Sequence, residues 1–406
     1  MYYVEYSTGK GLQLYALLFK CHFAAVFRQS HYCGVIEYPQ VLDAAMKRRQ
    51  DVRQRGKINM TNIKRITVWG RVTKCAHRCR YCLQGDQSQP GLQWENYTQA
   101  VEKYVKWGNQ NGMAIGFELA SNYDLTIDQY KWYLEMTRKC GKLSDSLLMG
   151  GMKMRNEAEM FDWLAQRKEL GLKKVIFSMS GTAQFHDAMN RRKGDLEYLL
   201  GAQRAAFALG LNVEQRIFIT KENINSIEQL CDDLDAIGKP QRRSVYPLHF
   251  RGNARELEDI RIDENDVKQI PAGVMRYMMP EELLSERQWA DRLASCDEKN
   301  PDNIGMFVYF EPENIKSILS ADCSEVVENR KEAVKAEYEK LPCLAELCER
   351  YADRNSKKVH EGKNKVAGLW FERYTEDPKN RITPYASELL HAFYPTERVS
   401  KFEQTR

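Results

Sequence analysis

Three cysteines stand close together in the segment KCAHRCRYCLQG, as Cys75, Cys79 and Cys82. An extended chain advances by roughly 3.4 Å per residue, so the first and last of these thiols could lie over about 20 Å apart. Only a loop folded around one object brings all three together. A cubane iron–sulfur cluster is such an object, because three of its irons take Cys thiolates and the fourth stays available to a ligand that is not protein.

Two other uses of these thiols remain open. His77 lies among the cysteines and could complete a Cys3His zinc site, in which the metal has only a structural role. Surface thiols without a partner are the other interpretation. Disulfides are not expected, because no secretory signal is visible, and the eleven cysteines of a cytoplasmic protein are kept reduced.

The elements that must position the cysteines follow a regular pattern. From Ile66 to about His249, short apolar or β-branched runs alternate with amphipathic segments of helical length. The predicted strands are Ile66–Gly70, Met113–Leu119, Ser146–Gly150, Lys174–Ser180, Val213–Thr220 and Ser244–His249. The predicted helices between them include Thr126–Cys140, Glu157–Leu170, Leu196–Leu209 and Ile224–Ile237.

Local signals mark the ends of these helices. Thr126 followed by Gln129 is typical of a capping box at a helix start. Gly171 and Gly210 follow two helix ends, where a left-handed backbone favours glycine. Parallel strands joined by helical crossovers form an α/β sheet or barrel whose ligands collect at the carboxyl ends of the strands. The cysteines come directly after the first strand, at such an end.

The pattern predicts three regions. Residues 1–60 form an N-terminal appendage of unknown role, and residues 61–255 form the catalytic core. Residues 256–406 form a mainly helical C-terminal extension, which includes the predicted helices Glu325–Glu339 and Leu344–Tyr351.

The aromatic Tyr81 before Cys82, and the place of the loop after the first strand, resemble the C-x3-C-x2-C motif of the radical S-adenosylmethionine superfamily. The resemblance covers about Lys64 to Arg255. It implies a partial (β/α)6 TIM-like barrel, a [4Fe-4S] cluster on the three cysteines, and S-adenosylmethionine on the open iron. It also implies reductive cleavage to a 5′-deoxyadenosyl radical that abstracts hydrogen, with a small electron donor such as flavodoxin or ferredoxin.

The same resemblance suggests residues that bind the cofactor. Tyr81 would lie beside it, and Gly116-Phe117-Glu118 resembles the family's turn that receives the methionine amine, with Phe117 in place of a second glycine. A carboxylate suits an ammonium group. Tyr246-Pro247-Leu248 ends the sixth strand, where the adenine ring packs in the family.

The methionine carboxylate needs a partner too. By resemblance, Ser178 and Arg191 would bind it, and the match leaves Arg191 and Arg192 as alternatives. Arg216 alternates with Glu214 in the fifth strand, so the two side chains share a face. An inward ion pair beside the cofactor and a structural salt bridge both fit this pattern.

A second cluster is not expected from the cysteines of the extension. Cys296, Cys323, Cys343 and Cys348 lack the C-x2-C pair of the family's auxiliary sites. Buried cysteines commonly behave as small hydrophobic side chains.

Composition limits the partners. The 406 residues are 43% hydrophobic and carry a net charge of +5 without charged blocks, and no apolar run approaches membrane-spanning length. The segments FSMSG, ITKENI and HFRGNAR resemble peptide- and cofactor-maturing members of the superfamily, which favours a peptide substrate. RNA modification, with Arg242, Arg243 and Arg251 meeting phosphate, is the alternative.

Overall fold

A computed structural model of the chain describes residues 65–83, 91–120, 124–141, 145–299 and 305–380, together with Leu389 and Phe393. The predicted appendage, residues 1–60, lies outside the described residues. The strands are β1 (Arg65–Arg71), β2 (Ala114–Ala120), β3 (Ser146–Leu148), β4 (Lys174–Met179), β5 (Asn212–Ile219), β6 (Arg242–Pro247), β7 (Leu283–Ser285), β8 (Met306–Phe310) and β9 (Val359–Glu361).

Helices lie between and after these strands. The first six are α1 (Trp94–Asn111), α2 (Ile127–Lys139), α3 (Glu157–Glu169), α4 (Ala183–Asn190), α5 (Asp195–Ala208) and α6 (Ile227–Ile237). The later ones are α7 (Glu264–Val267), α8 (Ala272–Met275), α9 (Glu286–Leu293), α10 (Ile315–Ser320), α11 (Cys323–Lys340), α12 (Leu344–Tyr351) and α13 (Lys363–Glu376). Short 3-10 turns cover Ile224–Ser226, Gly252–Ile260 and Pro280–Glu282.

Two parallel sheets hold the strands of the core. One has the order β2-β1-β8 and the other β3-β4-β5-β6, and every pairing in both is parallel. Among the described residues, β2 does not pair with β3, nor β6 with β8. The six predicted strands and the βα alternation are confirmed as a mixed α/β fold with parallel sheets.

Each strand presents one buried and one more accessible face. In β1, Ile66 and Val68 are fully buried, while the alternate residues Thr67 and Trp69 are partly exposed. The buried faces pack against side chains such as Tyr97 and Tyr104 of α1 and Leu164 of α3. The accessible faces keep polar side chains, so a site at this face can admit a ligand.

The helix ends follow the sequence signals. The Thr126 side chain accepts from the Gln129 backbone, and the Gln129 side chain accepts from the Thr126 backbone N–H, which confirms the capping box. Gly171 and Gly210 have φ values of 109° and 67°, as expected for left-handed caps. An N-cap such as Thr126 typically contributes about 1 kcal/mol to stability.

The C-terminal extension contributes more than helices. β8 pairs in parallel with β1 from Ile66–Met306 to Gly70–Phe310, so a strand missed in the sequence completes the first sheet. α9, α12 and α13 enclose a second hydrophobic core around Trp289, Leu347 and Trp370. In the described part of the chain, no helix is both long and apolar enough to cross a membrane.

Candidate active site

The three cysteines lie on one loop directly after β1, at the carboxyl edge of the sheet. This segment, residues 72–83, is called the cysteine loop below. Four backbone hydrogen bonds tie it to the segment after β3, to the end of α4 and to the segment after β6: from Ala76 to Gly151 (2.8 Å), from Arg78 to Asn190 (3.4 Å), from Arg80 to Met189 (2.8 Å), and from Asn253 to Cys82 (3.0 Å). The loop is therefore fixed at the point where several strand ends meet, as the sequence predicted.

The thiols of the loop are free, partly exposed and electrostatically coupled. Burial, reinforced by the neighbouring Cys75 and Cys82, raises the pKa of Cys79 to about 12. Burial also raises the pKa of Cys75, which Cys82 reinforces and a hydrogen bond from the His77 backbone N–H opposes.

The donor set suits an iron–sulfur cluster, because three nearby thiols favour a cation that accepts three thiolates. Within the described ranges, however, no three His, Cys, Asp or Glu side chains are gathered as ligands of one metal ion.

His77 points its ring into a buried polar network. Its Nε2 lies 3.1 Å from Oδ1 of Asp195, and both side chains are nearly inaccessible to solvent. In a zinc site, the Nε2 of His77 would have to leave this carboxylate, or Nδ1 would have to bind the metal. Through this contact, Asp195 holds the His77 ring and thereby anchors the loop.

Asp195 stands at the centre of this network, at the first residue of α5. It is fully buried and accepts hydrogen bonds from Asn190 (2.5 Å) and from Nε of Arg192 (2.9 Å). Nε2 of His186 lies 3.2 Å from Oδ2 of Asp195, and Nδ1 of the same ring lies 3.2 Å from Oγ of Ser180. Burial alone would raise the pKa of Asp195, but the hydrogen bonds from His186 and His77 and the charge of Arg192 hold it below its ordinary value.

Tyr81 fastens the far end of the cysteine loop. Its hydroxyl donates to Oδ1 of Asn190 at 2.6 Å, and its ring centroid lies 4.5 Å from that of Phe218. Burial raises the pKa of this phenol well above its ordinary value. The hydrogen bond gives Tyr81 an anchoring role, and its predicted contact with the cofactor stays a prediction.

The three residues predicted on β2 do not share a face. The Phe117 ring is buried and packs on Tyr133 and Trp132, with centroids 5.7 and 6.0 Å apart, so its side chain belongs to the hydrophobic core. Glu118 lies on the accessible face. At Gly116 a Cβ would come within 2.8 Å of the Arg65 guanidinium, so a larger side chain here would push Arg65 aside.

Ser178 and Arg216 are brought side by side. They are register partners on β4 and β5, and Arg216 pairs with Glu214 at 2.8 Å, which confirms the predicted ion pair. Lys174 lies 3.4 Å from the same carboxylate. Burial would raise the pKa of Glu214, but Arg216 and Lys174 lower it overall. This face can thus hold a carboxylate through Ser178 and Arg216.

The structure separates the two candidate arginines after α4. Arg192 is committed to Asp195, donates to the Met152 carbonyl and stacks on Tyr198 at 5.1 Å. Arg191 has a left-handed backbone with φ 52° and an exposed side chain that makes no hydrogen bond or ion pair with the other described residues. Arg191 is therefore the one whose guanidinium is accessible to a ligand.

The segment after β6 links the cysteine loop to the extension. Gly252 has φ 56°, and a Cβ on it would lie 2.6 Å from the Cys82 carbonyl oxygen. Arg251 and Arg255, on either side, form ion pairs with Glu372 and Glu376 of α13. The ring centroid of Tyr246, a residue predicted near the adenine, lies 5.2 Å from that of His249. Burial raises the pKa of the Tyr246 phenol to about 12.

Two of the three arginines predicted to meet RNA phosphate are engaged within the protein, whereas Arg242 is exposed. Arg243 is buried and donates to Gln215 and Asp235, each at 2.7 Å, while Arg251 is paired with Glu372. Of the cysteines of the extension, Cys323 lies in the core against the parallel sheets, while Cys348 lies in the second core and Cys296 packs against it.

Sequence reasoning missed Asp195 entirely. The residue follows Gly194 at a helix start, where an acidic side chain usually interacts with the helix dipole or caps the first turn. Asn190 and Arg192 are its near neighbours in the sequence, but His77 comes from the distant cysteine loop, so no local signal could have identified Asp195 as the centre of a network. His186, nine residues before Asp195, lies within hydrogen-bond distance of Ser180 and Asp195.

No known family model matches this chain, and no curated protein matches it. Among solved structures, SuiB of Streptococcus suis bound to its precursor peptide SuiA is 12% identical, with a TM-score of 0.37 over 67% of this chain and 58% of that chain. Coproporphyrinogen III oxidase (HemN) of Escherichia coli, described as a radical SAM enzyme, is 11% identical, with a TM-score of 0.40 over 81% and 90%.

The radical S-adenosylmethionine methyltransferase TsrM of Kitasatospora setae is 14% identical, with a TM-score of 0.31 over 46% of this chain and 36% of that chain. The match to SuiB spans little more than half of that chain. With TM-scores below 0.5, these likenesses do not assign a reaction to this chain.

Proposed function

We propose that this chain is a radical S-adenosylmethionine enzyme that binds a [4Fe-4S] cluster through Cys75, Cys79 and Cys82. The observation that carries the proposal is the cysteine loop itself. Three free, mutually coupled thiols with C-x3-C-x2-C spacing follow β1 at the carboxyl edge of a parallel sheet. When bound, the cluster supplies the electron that splits S-adenosylmethionine into methionine and a 5′-deoxyadenosyl radical.

The residues around the loop would hold and orient the cofactor. Glu118 offers a carboxylate to the methionine amine, and Ser178 with Arg191 offers donors to its carboxylate. Arg216, beside Ser178 in register, is a further donor on the same face. The substrate we propose is a peptide, on the sequence resemblance alone, and a flavodoxin or ferredoxin would deliver the electron.

Anaerobic reconstitution tests the proposal. We expect about four iron and four sulfide per chain, as one cubane cluster requires. The dithionite-reduced protein should show a cluster EPR signal that S-adenosylmethionine alters, and it should release 5′-deoxyadenosine. Uptake of stoichiometric zinc without iron would contradict the proposal and favour a structural zinc site.

Alanine variants locate the cluster. Cys75→Ala, Cys79→Ala and Cys82→Ala should each lose iron and 5′-deoxyadenosine release, because each removes one of three protein ligands. Cys296→Ala is the matched control, since this thiol is also partly exposed but lies outside the loop. Iron loss in the control variant alone would place the cluster elsewhere.

A further inference from the structure

We infer that Asp195 is the positioning residue of the cysteine loop and acts through two arms that hold the loop on either side of Cys79. The inference rests on the proposed function for its consequence at the cluster, but not for the position of the loop. The first arm is His77, whose Nε2 lies 3.1 Å from Asp195. The second is Asn190, which donates to Asp195 at 2.5 Å and accepts from Tyr81 at 2.6 Å.

The surroundings of Asp195 suit it to position the cysteine loop. Asp195 is fully buried, and its other partners, His186 and Arg192, are held by Ser180 and the Met152 carbonyl. A buried carboxylate with several donors is costly to displace, because each broken bond leaves an unsatisfied group without water. The loop residues are thus attached to a fixed point in the α/β core rather than to solvent.

The first arm also controls a hydrogen bond to sulfur. The backbone N–H of His77 donates to the Cys75 thiol, while the side chain of the same residue is held by Asp195. With the ring held, the peptide plane has little freedom to turn away from the sulfur. Hydrogen bonds to cysteine sulfur tune the reduction potential of an iron–sulfur cluster, so Asp195 would set that potential at a distance.

The metal-free protein gives the first test. In the full chain, the alkylation rates of Cys75, Cys79 and Cys82 by iodoacetamide are compared with that of Cys296 as the internal reference. His77→Ala should raise the Cys75 rate about tenfold, the change in an opening equilibrium when one charge-assisted hydrogen bond is lost. His77→Gln keeps an N–H donor for Asp195 and should restore most of the protection.

A second variant keeps the test independent of His77. Tyr81→Phe removes the hydroxyl that is bonded to Asn190 and also interacts with the Cys79 thiol, and it should raise the alkylation of Cys82 more than that of Cys75. Thr126→Ala, which removes the N-cap of α2 outside the loop, controls for a general loss of stability. Wild-type rates in both His77→Ala and Tyr81→Phe, or equal acceleration by Thr126→Ala, would overturn the inference.

The reconstituted protein gives the second test. His77→Ala should release iron to a ferrous chelator about tenfold faster than wild type, as loss of an outer-shell partner does at metal sites. Its midpoint potential should shift to a more negative value, because an N–H···S bond is weakened. If wild type takes up no iron, the proposed function fails, whereas the alkylation result still decides the positioning role.

Discussion

Gly252→Ala offers a direct measure of how tightly the segment after β6 fits the cysteine loop. The backbone φ of 56° is left-handed, which costs a residue with a Cβ roughly 1–2 kcal/mol. The new Cβ would also stand 2.6 Å from the Cys82 carbonyl oxygen and 2.9 Å from the Cα of Leu83. Backbone atoms cannot rotate aside, and overpacking of this kind costs about 1–3 kcal/mol.

Gly112→Ala is the matched control for this perturbation. Gly112 has φ 64°, close to that of Gly252, but a Cβ there meets nothing within 4 Å. Gly112→Ala should therefore lose only the conformational cost of the left-handed backbone, roughly 1–2 kcal/mol in free energy of unfolding. The difference between the two variants, about 1–3 kcal/mol, is then the contact with the cysteine loop.

Urea unfolding of the two variants and wild type measures both losses in free energy of unfolding. If the new Cβ displaces the cysteine loop rather than the segment after β6, Gly252→Ala should also bind less iron. Gly112→Ala should keep the full amount of iron. Equal destabilisation of the two variants would refute the close contact between Gly252 and Cys82.

Three further predictions address the cofactor, pH and the extension. Arg191→Ala should weaken S-adenosylmethionine binding, measured by equilibrium dialysis, and leave the iron content unchanged; unchanged affinity would move the role to Arg192 or Arg216. The Lys221 ammonium bonded to Asp263 lowers the pKa of that carboxyl to about 2. The ion pair therefore stabilises the folded protein fully above about pH 4, the ordinary pKa of an aspartate, and this stabilisation is lost as the pH falls through about 2. Asp263→Asn should therefore cost about 1–2 kcal/mol in urea unfolding at pH 6 and progressively less below pH 4, and a pH-independent difference would contradict this. Glu286→Ala leaves Arg373 without its buried partner and should cost about 3 kcal/mol in the same measurement, which a wild-type midpoint would disprove.

Much of the core could be predicted because its signals are local. The strands alternate in hydrophobicity, and Thr126 with Gln129 states the start of α2 within four residues. The Arg216–Glu214 pair followed from period-two spacing on one strand, and the place of the cysteine loop from its position after β1.

The features that were missed depend on distant partners. MFVYF, the sequence of β8, is a short apolar run that periodicity cannot distinguish from a buried helix turn, and its partner β1 lies far away along the chain. The side of the strand taken by Phe117 was likewise assigned by resemblance, which overlooked the rings of α2 beneath it. Asp195 gains its meaning only when His77, Asn190 and Arg192 converge on it.

The pairing of β1 with β8 also imposes an order on folding. β3 to β6 pair with their neighbours in the chain, so their contacts form early and at low cost in loop entropy. One edge of β1, in contrast, stays uncovered until Phe310 has been synthesised, because its partner strand ends there. During translation, the strand that precedes the cysteine loop is thus held on only one edge, by β2, while β3 to β6 already pair with one another.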